Sequence, residues 1–122
     1  MLDGLYVFLD GAHGQAFLFE RDGIVLDALL RRARDEEWGD LREIHGWLRR
    51  GTRGVVEGRY TSNAKHVRIE TIGHFGDGER LTIWEGSVVG DRLVLGFFDH
   101  HSSRRGRGHL FERIAKPRRT DR

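Results

Sequence analysis

A chain of 122 residues is the length of one domain, long enough to bury roughly two-thirds of its unfolded surface without a covalent staple. It has no cysteine, which excludes disulfides and thiolate metal sites, and no apolar run nears the ~18 residues of a membrane-spanning helix. The net charge of +2 is unevenly placed: residues 102–122 hold eight basic against two acidic groups, so the basic excess sits in the C-terminal region.

The opening stretch MLDGLYVFLDG has an early aspartate and no basic n-region, so no secretory signal is expected and the chain reads as soluble and cytoplasmic. Leu5–Leu9, bounded by Gly4 and Asp10-Gly11, reads as a first strand. Gln15–Glu20 and Ile24–Leu29 flank Asp22-Gly23, a hairpin signal. A two-residue loop there sets Phe19 opposite Leu26 and Phe17 opposite Ala28 as an inner face, and turns Val25 and Asp27 outward.

The period then changes. Leu41, Ile44 and Leu48 recur at helical spacing, with Trp38 one turn earlier. Asp40 with Glu43 fits a capping box, Gly51 sits where a C-cap belongs, and Arg49-Arg50 suit the C-terminal end of the dipole. The expected helix therefore starts near Asp35 or at Asp40 and ends at Arg50. His45 falls inside its apolar stripe.

Val55–Ser62 and Lys65–Ile72 form a hairpin around Asn63-Ala64, with Val56, Gly58 and Tyr60 sharing a face with Val67, Ile69 and Thr71. His74–Arg80 reads as a loop. Next comes LTIWEGSVVGDRLVLGFF (81–98), whose Gly90-Asp91 turn pairs Val88 with Leu93, Gly86 with Leu95, Trp84 with Phe97 and Thr82 with Asp99. A loop over Ser102–Arg107 precedes a last strand, His109–Ile114, whose inward face the pattern leaves open between Phe111 and the pair Leu110 and Ile114.

Eight antiparallel strands in sequence, with one helix between the third and fourth, predict an all-β up-and-down barrel over residues 1–115 and a basic tail over 116–122. An open or split sheet with the helix on one face is the competing architecture. The stretches FLFERDGIVL (17–26), VEGRY (56–60) and WEGSVVGDRLVL (84–95), with a tryptophan-containing helix before VEGRY, resemble the lipocalin-like, or calycin-type, small β-barrels of bacteria. The resemblance implies a barrel with an interior ligand site and carries no catalytic residue over to this chain.

In such a barrel the 2–3, 4–5 and 6–7 turns close one end, and the remaining connections gather at the other, where binding groups are expected. Inward parity brings Gln15, Thr71, Thr82, Asp99 and His101 to that mouth, above an interior lined by Phe17, Phe19, Leu26, Tyr60, Ile69, Trp84, Leu95 and Phe97. A small, partly apolar ligand is the expected partner, with Gln15, Phe17, Phe19, His45, Tyr60, Thr82, Trp84 and Phe97 as its contacts. His45 joins them only if the helix covers the mouth. Asp99 and His101, two apart on one strand, make a second reading: a carboxylate orienting an imidazole for acid–base isomerisation, cyclisation or hydrolysis. Against it, both read more readily as solvated loop residues.

His100-His101 with His13, His74 or His109 gives no metal-ligand spacing, so no metal is expected, and no cofactor is indicated. A third reading, an adaptor for nucleic acid or protein through the basic C-terminal region, is weakened by the lack of aromatics in SSRRGRG (102–108), so nucleic acid is not the expected partner. Val25, Ile83, Val94 and Phe98 point outward in these registers, which allows a homodimer through an outer face.

Overall fold

The protein, seen in a computed structural model that describes residues 2–75 and 78–116 apart from the side chains of His74 and Phe75, is an eight-stranded antiparallel barrel closed between its first and last strands. The strands are β1 (Gly4–Asp10), β2 (His13–Phe19), β3 (Ile24–Arg31), β4 (Val55–Ser62), β5 (His66–Phe75), β6 (Gly78–Val89), β7 (Arg92–Asp99) and β8 (Arg104–Ile114). Each pairs with its sequence neighbour, and Leu5, Tyr6 and Val7 on β1 pair with Ile114, Arg113 and Glu112 on β8. Closure leaves no strand edge to protect. No helix among the described residues is long and apolar enough to cross a membrane.

The β6–β7 hairpin has the register its alternation predicts, with Trp84 opposite Phe97 and Thr82 opposite Asp99. The other two hairpins at that end differ in instructive ways. Between β4 and β5 the loop is one residue later than expected. Asn63 N–H donates to His66 C=O, its Oδ1 accepts from Lys65 and His66, and Tyr60 faces Ile69 rather than Val67. Moving a loop without changing its length shifts partners by two, so the faces survive.

Between β2 and β3 the loop is one residue longer. Gly23, at φ +82°, takes the left-handed position, Gly23 N–H donates to Glu20 C=O, and Glu20 N–H donates to Ile24 C=O. This is a three-residue loop ending on a left-handed glycine, where the sequence suggested a two-residue one. Phe19 therefore faces Val25 and Phe17 faces Asp27. The slip turns Val25 and Asp27 into the barrel, and moves Leu26 and Ala28 to its outside.

The outer face so created is covered. A 3-10 turn (Leu41–Glu43) and a single α-helical turn, α1 (Ile44–Trp47), replace the longer helix expected. Asp40 caps the segment by accepting from Arg42 N–H. Gly39 and Gly46 are poor helix formers, which limits propagation in a segment already near the minimum length for a helix. Leu41, Ile44 and Leu48 pack against Leu5, Val7, Ala16, Leu26, Ala28 and Leu30 on the outer wall. Ile44 and Leu48 are 6% and 1% exposed, so each contributes about 1.5–3 kcal/mol of apolar burial. The helical segment thus clads the outside of β1–β3 rather than capping the mouth.

Inside, Tyr6, Phe17, Phe19, Val25, Tyr60, Val67, Ile69, Trp84, Leu93, Leu95 and Phe111 form one core. Phe111 settles the inward face of β8: it stacks on Phe17 at 5.2 Å, while Leu110 is exposed.

Candidate functional site

The end of the barrel bearing the β2–β3, β4–β5 and β6–β7 turns is filled. Tyr60 meets Phe19 edge-on at 4.9 Å, and Phe19 meets Tyr6 at 5.5 Å. The Tyr60 hydroxyl lies 2.6 Å from the carbonyls of both Leu2 and Glu20 and donates its single proton between them, tying the entering chain to the β2–β3 turn. Burial, followed by the nearby Asp22, Asp3 and Glu20 charges, raises its pKa. Phe19 and Tyr60, both expected to touch a ligand, are committed to this plug.

The opposite end is different in kind. Five polar side chains from five strands face inward there: Gln15 (β2), Asp27 (β3), Thr71 (β5), Thr82 (β6) and Asp99 (β7). Three are cross-strand neighbours in a row, since Thr71 pairs with Thr82 and Thr82 with Asp99. Gln15 Nε2 donates to Asp27 Oδ1, and the Thr71 hydroxyl hydrogen-bonds the same carboxyl. Gln15 and Thr71 are buried, whereas Asp27 keeps a sliver of accessible surface although protein surrounds it.

Burial pushes the Asp27 carboxyl from its ordinary 3.8 to about 7, with the Gln15 and Thr71 hydrogen bonds offsetting part of the rise. None of the ion pairs among the described residues involves it. Asp99 is the contrasting case. Burial raises its pKa, but the His101 backbone N–H, Ser102 and the Arg80 guanidinium pull harder, and the net result lies below the usual carboxylate value. Its Oδ1 accepts from His101 N–H at 2.9 Å and Oδ2 lies 3.3 Å from Arg80 Nε.

Next to the polar row stands a ring cluster. Trp84 lies 4.9 Å from Phe97, and His109 meets Phe8, Phe97 and Trp84 at 4.8, 5.5 and 5.7 Å. Gly106 makes this possible, because a Cβ there would overlap both the Phe97 and His109 rings. His109 Nδ1 is buried and has no hydrogen-bond partner among the described residues. Phe8, Thr82, Phe97 and His109 all retain partial exposure despite facing inward. Leu29, paired with Gln15 near this end, is 78% exposed.

Several expected site residues lie elsewhere. β7 ends at Asp99, so His101 sits in the exposed turn to β8, and its contact with the Asp99 carboxylate is through its backbone N–H. The Asp99–His101 pair is thus a turn-forming arrangement, in which the aspartate orients backbone. His45 is on the outer wall, its Nε2 2.9 Å from Ile114 C=O, and does not reach the interior. Leu26 belongs to the outer core. Gln15, Phe17, Thr82, Trp84 and Phe97 are where the sequence places them. Of the other histidines, His13, His100 and His101 are exposed, His66 is at the filled end, and the side chain of His74 lies outside the described residues. No group of three His, Asp or Glu side chains among the described residues is arranged to hold a metal ion.

Sequence reasoning missed Asp27 and His109. The first was hidden by the β2–β3 loop length. The second followed from the inward face of β8, which the pattern left open: with Phe111 inward, His109 two residues earlier faces inward too, and a bulge at Gly108 keeps Gly106 facing inward beyond it.

Two open grooves lie outside the barrel, one of about 480 Å³ along Arg32, Arg34, Glu36 and Trp38, the other of about 420 Å³ between Leu29, Leu41, Ile44 and Trp47. Neither contains Asp27. Comparison with protein-family models, with curated proteins and with solved structures finds no match for the chain.

Proposed function

We propose that the protein binds a small, partly apolar molecule in the mouth half of the barrel. The observation that carries this reading is the convergence of Gln15, Asp27, Thr71, Thr82 and Asp99 from five strands beside the rings of Phe8, Trp84, Phe97 and His109. Apolar walls with a few convergent polar groups are the usual form of a small-molecule site, and a carboxyl with a strongly perturbed pKa is more common in such sites than elsewhere. The resemblance to lipocalin-like barrels is consistent with this use of the interior, and entry is past Leu29 rather than beneath the helix.

A second reading, acid–base catalysis in the same space, draws on Asp27 alone. A carboxyl that titrates near 7 exchanges a proton readily at neutral pH, so Asp27 replaces the Asp99–His101 pair as the proton carrier. The outward apolar pair Val94 and Leu110, on neighbouring strands, keeps a homodimer through the outer wall as a proposal.

The test is native mass spectrometry of the purified protein together with a fragment screen read by NMR. Bound molecules are expected to shift resonances of Phe8, Gln15, Thr71 and Phe97, and to lose binding in a folded Thr82→Trp variant that fills the mouth. Binding confined to the groove at Leu29 and Trp47, unaffected by Thr82→Trp, refutes the interior site.

A further inference from the structure

Resting on that reading of the barrel, we propose that the ligand is a small organic cation, a protonated amine on a flat apolar body, whose ammonium group pairs with the carboxylate of Asp27. The geometry of charge in the interior selects this class. Of the two inward carboxylates at the mouth, Asp99 already has a guanidinium at 3.3 Å and a backbone N–H at 2.9 Å. Asp27 has two neutral partners, Gln15 and Thr71, and no cation among the described residues. An ionised carboxylate inside a barrel with neutral hydrogen bonds alone is left short of the countercharge that a buried charge requires. A ligand ammonium supplies it.

None of the other charged groups described near the mouth acts on the Asp27 carboxyl. By register, Asp10 on β1, His13 on β2, Arg31 on β3, Arg80 on β6 and Arg104 on β8 share inward parity near the rim, and β4 and β5 contribute no charged residue beside Asp27. Arg80 is paired with Asp99. His109, whose buried Nδ1 has no partner among the described residues, is a second polar handle for the body of the ligand. The clustered rings of Phe8, Trp84 and Phe97 offer the flat faces on which an aromatic body packs and toward which a cation is drawn.

Below neutrality Asp27 is mostly the neutral acid. When R–NH3+ binds, the Asp27 O–H bond breaks, the proton leaves to solvent, and the carboxylate pairs with the ammonium. Affinity therefore rises with pH, roughly tenfold per unit up to about 7, and levels off above it.

The probes are 2-phenylethylamine, its neutral isostere 2-phenylethanol and the anion 3-phenylpropanoate, titrated calorimetrically into the full chain at pH 5, 6, 7 and 8 in two buffers of different ionisation enthalpy. The amine is expected to bind tightest, to release close to one proton at pH 6, and to shift the resonances of Gln15, Thr71 and Phe97. Asp27→Asn is expected to abolish the proton release and to level the amine with the alcohol. The proton count in the native chain decides the matter even if that variant folds poorly. Alcohol or anion bound in the barrel at least as tightly as the amine, or amine binding without proton release, overturns the ligand class and leaves the interior site standing. Failure of all three probes to shift any interior resonance overturns both.

Discussion

Replacing Asp27 by asparagine tests the interior electrostatics without any ligand. The carboxyl is held between Gln15 and Thr71 and titrates at about 7, against 3.8 when the chain is unfolded. Between those two values the folded state binds the proton and the unfolded state does not, so stability from this group is present at low pH and is lost as pH rises to about 7. At 1.36 kcal/mol per pH unit the loss amounts to about 4 kcal/mol, an upper bound because water entry and relaxation reduce it. Against a total stability of roughly 5–15 kcal/mol, that is a large fraction.

Asparagine keeps an acceptor for Gln15 and carries no charge, so its contribution is flat with pH. Urea unfolding followed by circular dichroism at half-unit steps from pH 4 to 8 reads the difference directly. Wild type and Asp27→Asn are expected to be nearly equal at pH 4, with the variant more stable by several kcal/mol at pH 8. Other titrating groups cancel in the subtraction. Parallel profiles across that range would falsify the placement of an unpaired carboxyl in the barrel.

Three further outcomes follow from the same geometry. Gly106→Ala puts a methyl into the Phe97 and His109 rings, and is expected to cost about 1–3 kcal/mol in urea unfolding and to displace both rings in NMR spectra; a neutral effect contradicts the ring packing. His45→Leu removes the bond to Ile114 C=O and is expected to lower stability by about 1 kcal/mol while leaving ligand binding unchanged, because the side chain is on the outer wall; lost binding with the fold intact would put it at the mouth after all. Asp99 has a lowered pKa, so its stabilising contribution is present above about 4 and disappears as pH falls through its folded value. Wild type should therefore lose more stability than Asp99→Asn on acidification from pH 5 to 3, and equal losses count against its partners.

The barrel was legible because hairpin signals and alternation agree along most of the chain. In β6 and β7, Trp84, Gly86 and Val88 alternate with Glu85 and Ser87, and only one register satisfies both strands and the Gly90-Asp91 turn. In β4 and β5 the loop was misplaced by one residue, yet Tyr60 and Ile69 still face inward, since a two-residue change of partner preserves the face. The helix was overcalled because periodicity reports which residues share a stripe, not how far the helical backbone extends. Leu41, Ile44 and Leu48 are buried together through a 3-10 turn and one α-turn, with glycines on either side of Ile44.

The site depends on the one strand where local pattern and tertiary context disagree. IVLDALLR offers two sets: Ile24, Leu26, Ala28 and Leu30 without a polar atom in their side chains, and Val25, Asp27 and Leu29 with a carboxyl in the middle. If a strand has one covered face, the first set must take it, and Asp27 goes to solvent. Here both faces are covered, because the segment around Ile44 and Leu48 packs on the outer wall of β1–β3. The uniformly apolar set is needed there, where the surroundings offer aliphatic contacts and no mouth admits water. The set with the carboxyl can face the interior only because Gln15 and Thr71 meet it with hydrogen-bond donors. The three-residue turn at Arg21–Gly23 fixes that choice, since a two-residue turn would bury Leu26 inside and expose Asp27 beneath the helix. Deleting one turn residue should therefore not shift the fold gently: it would invert the strand, and an aspartate under Ile44 has no donor to meet it.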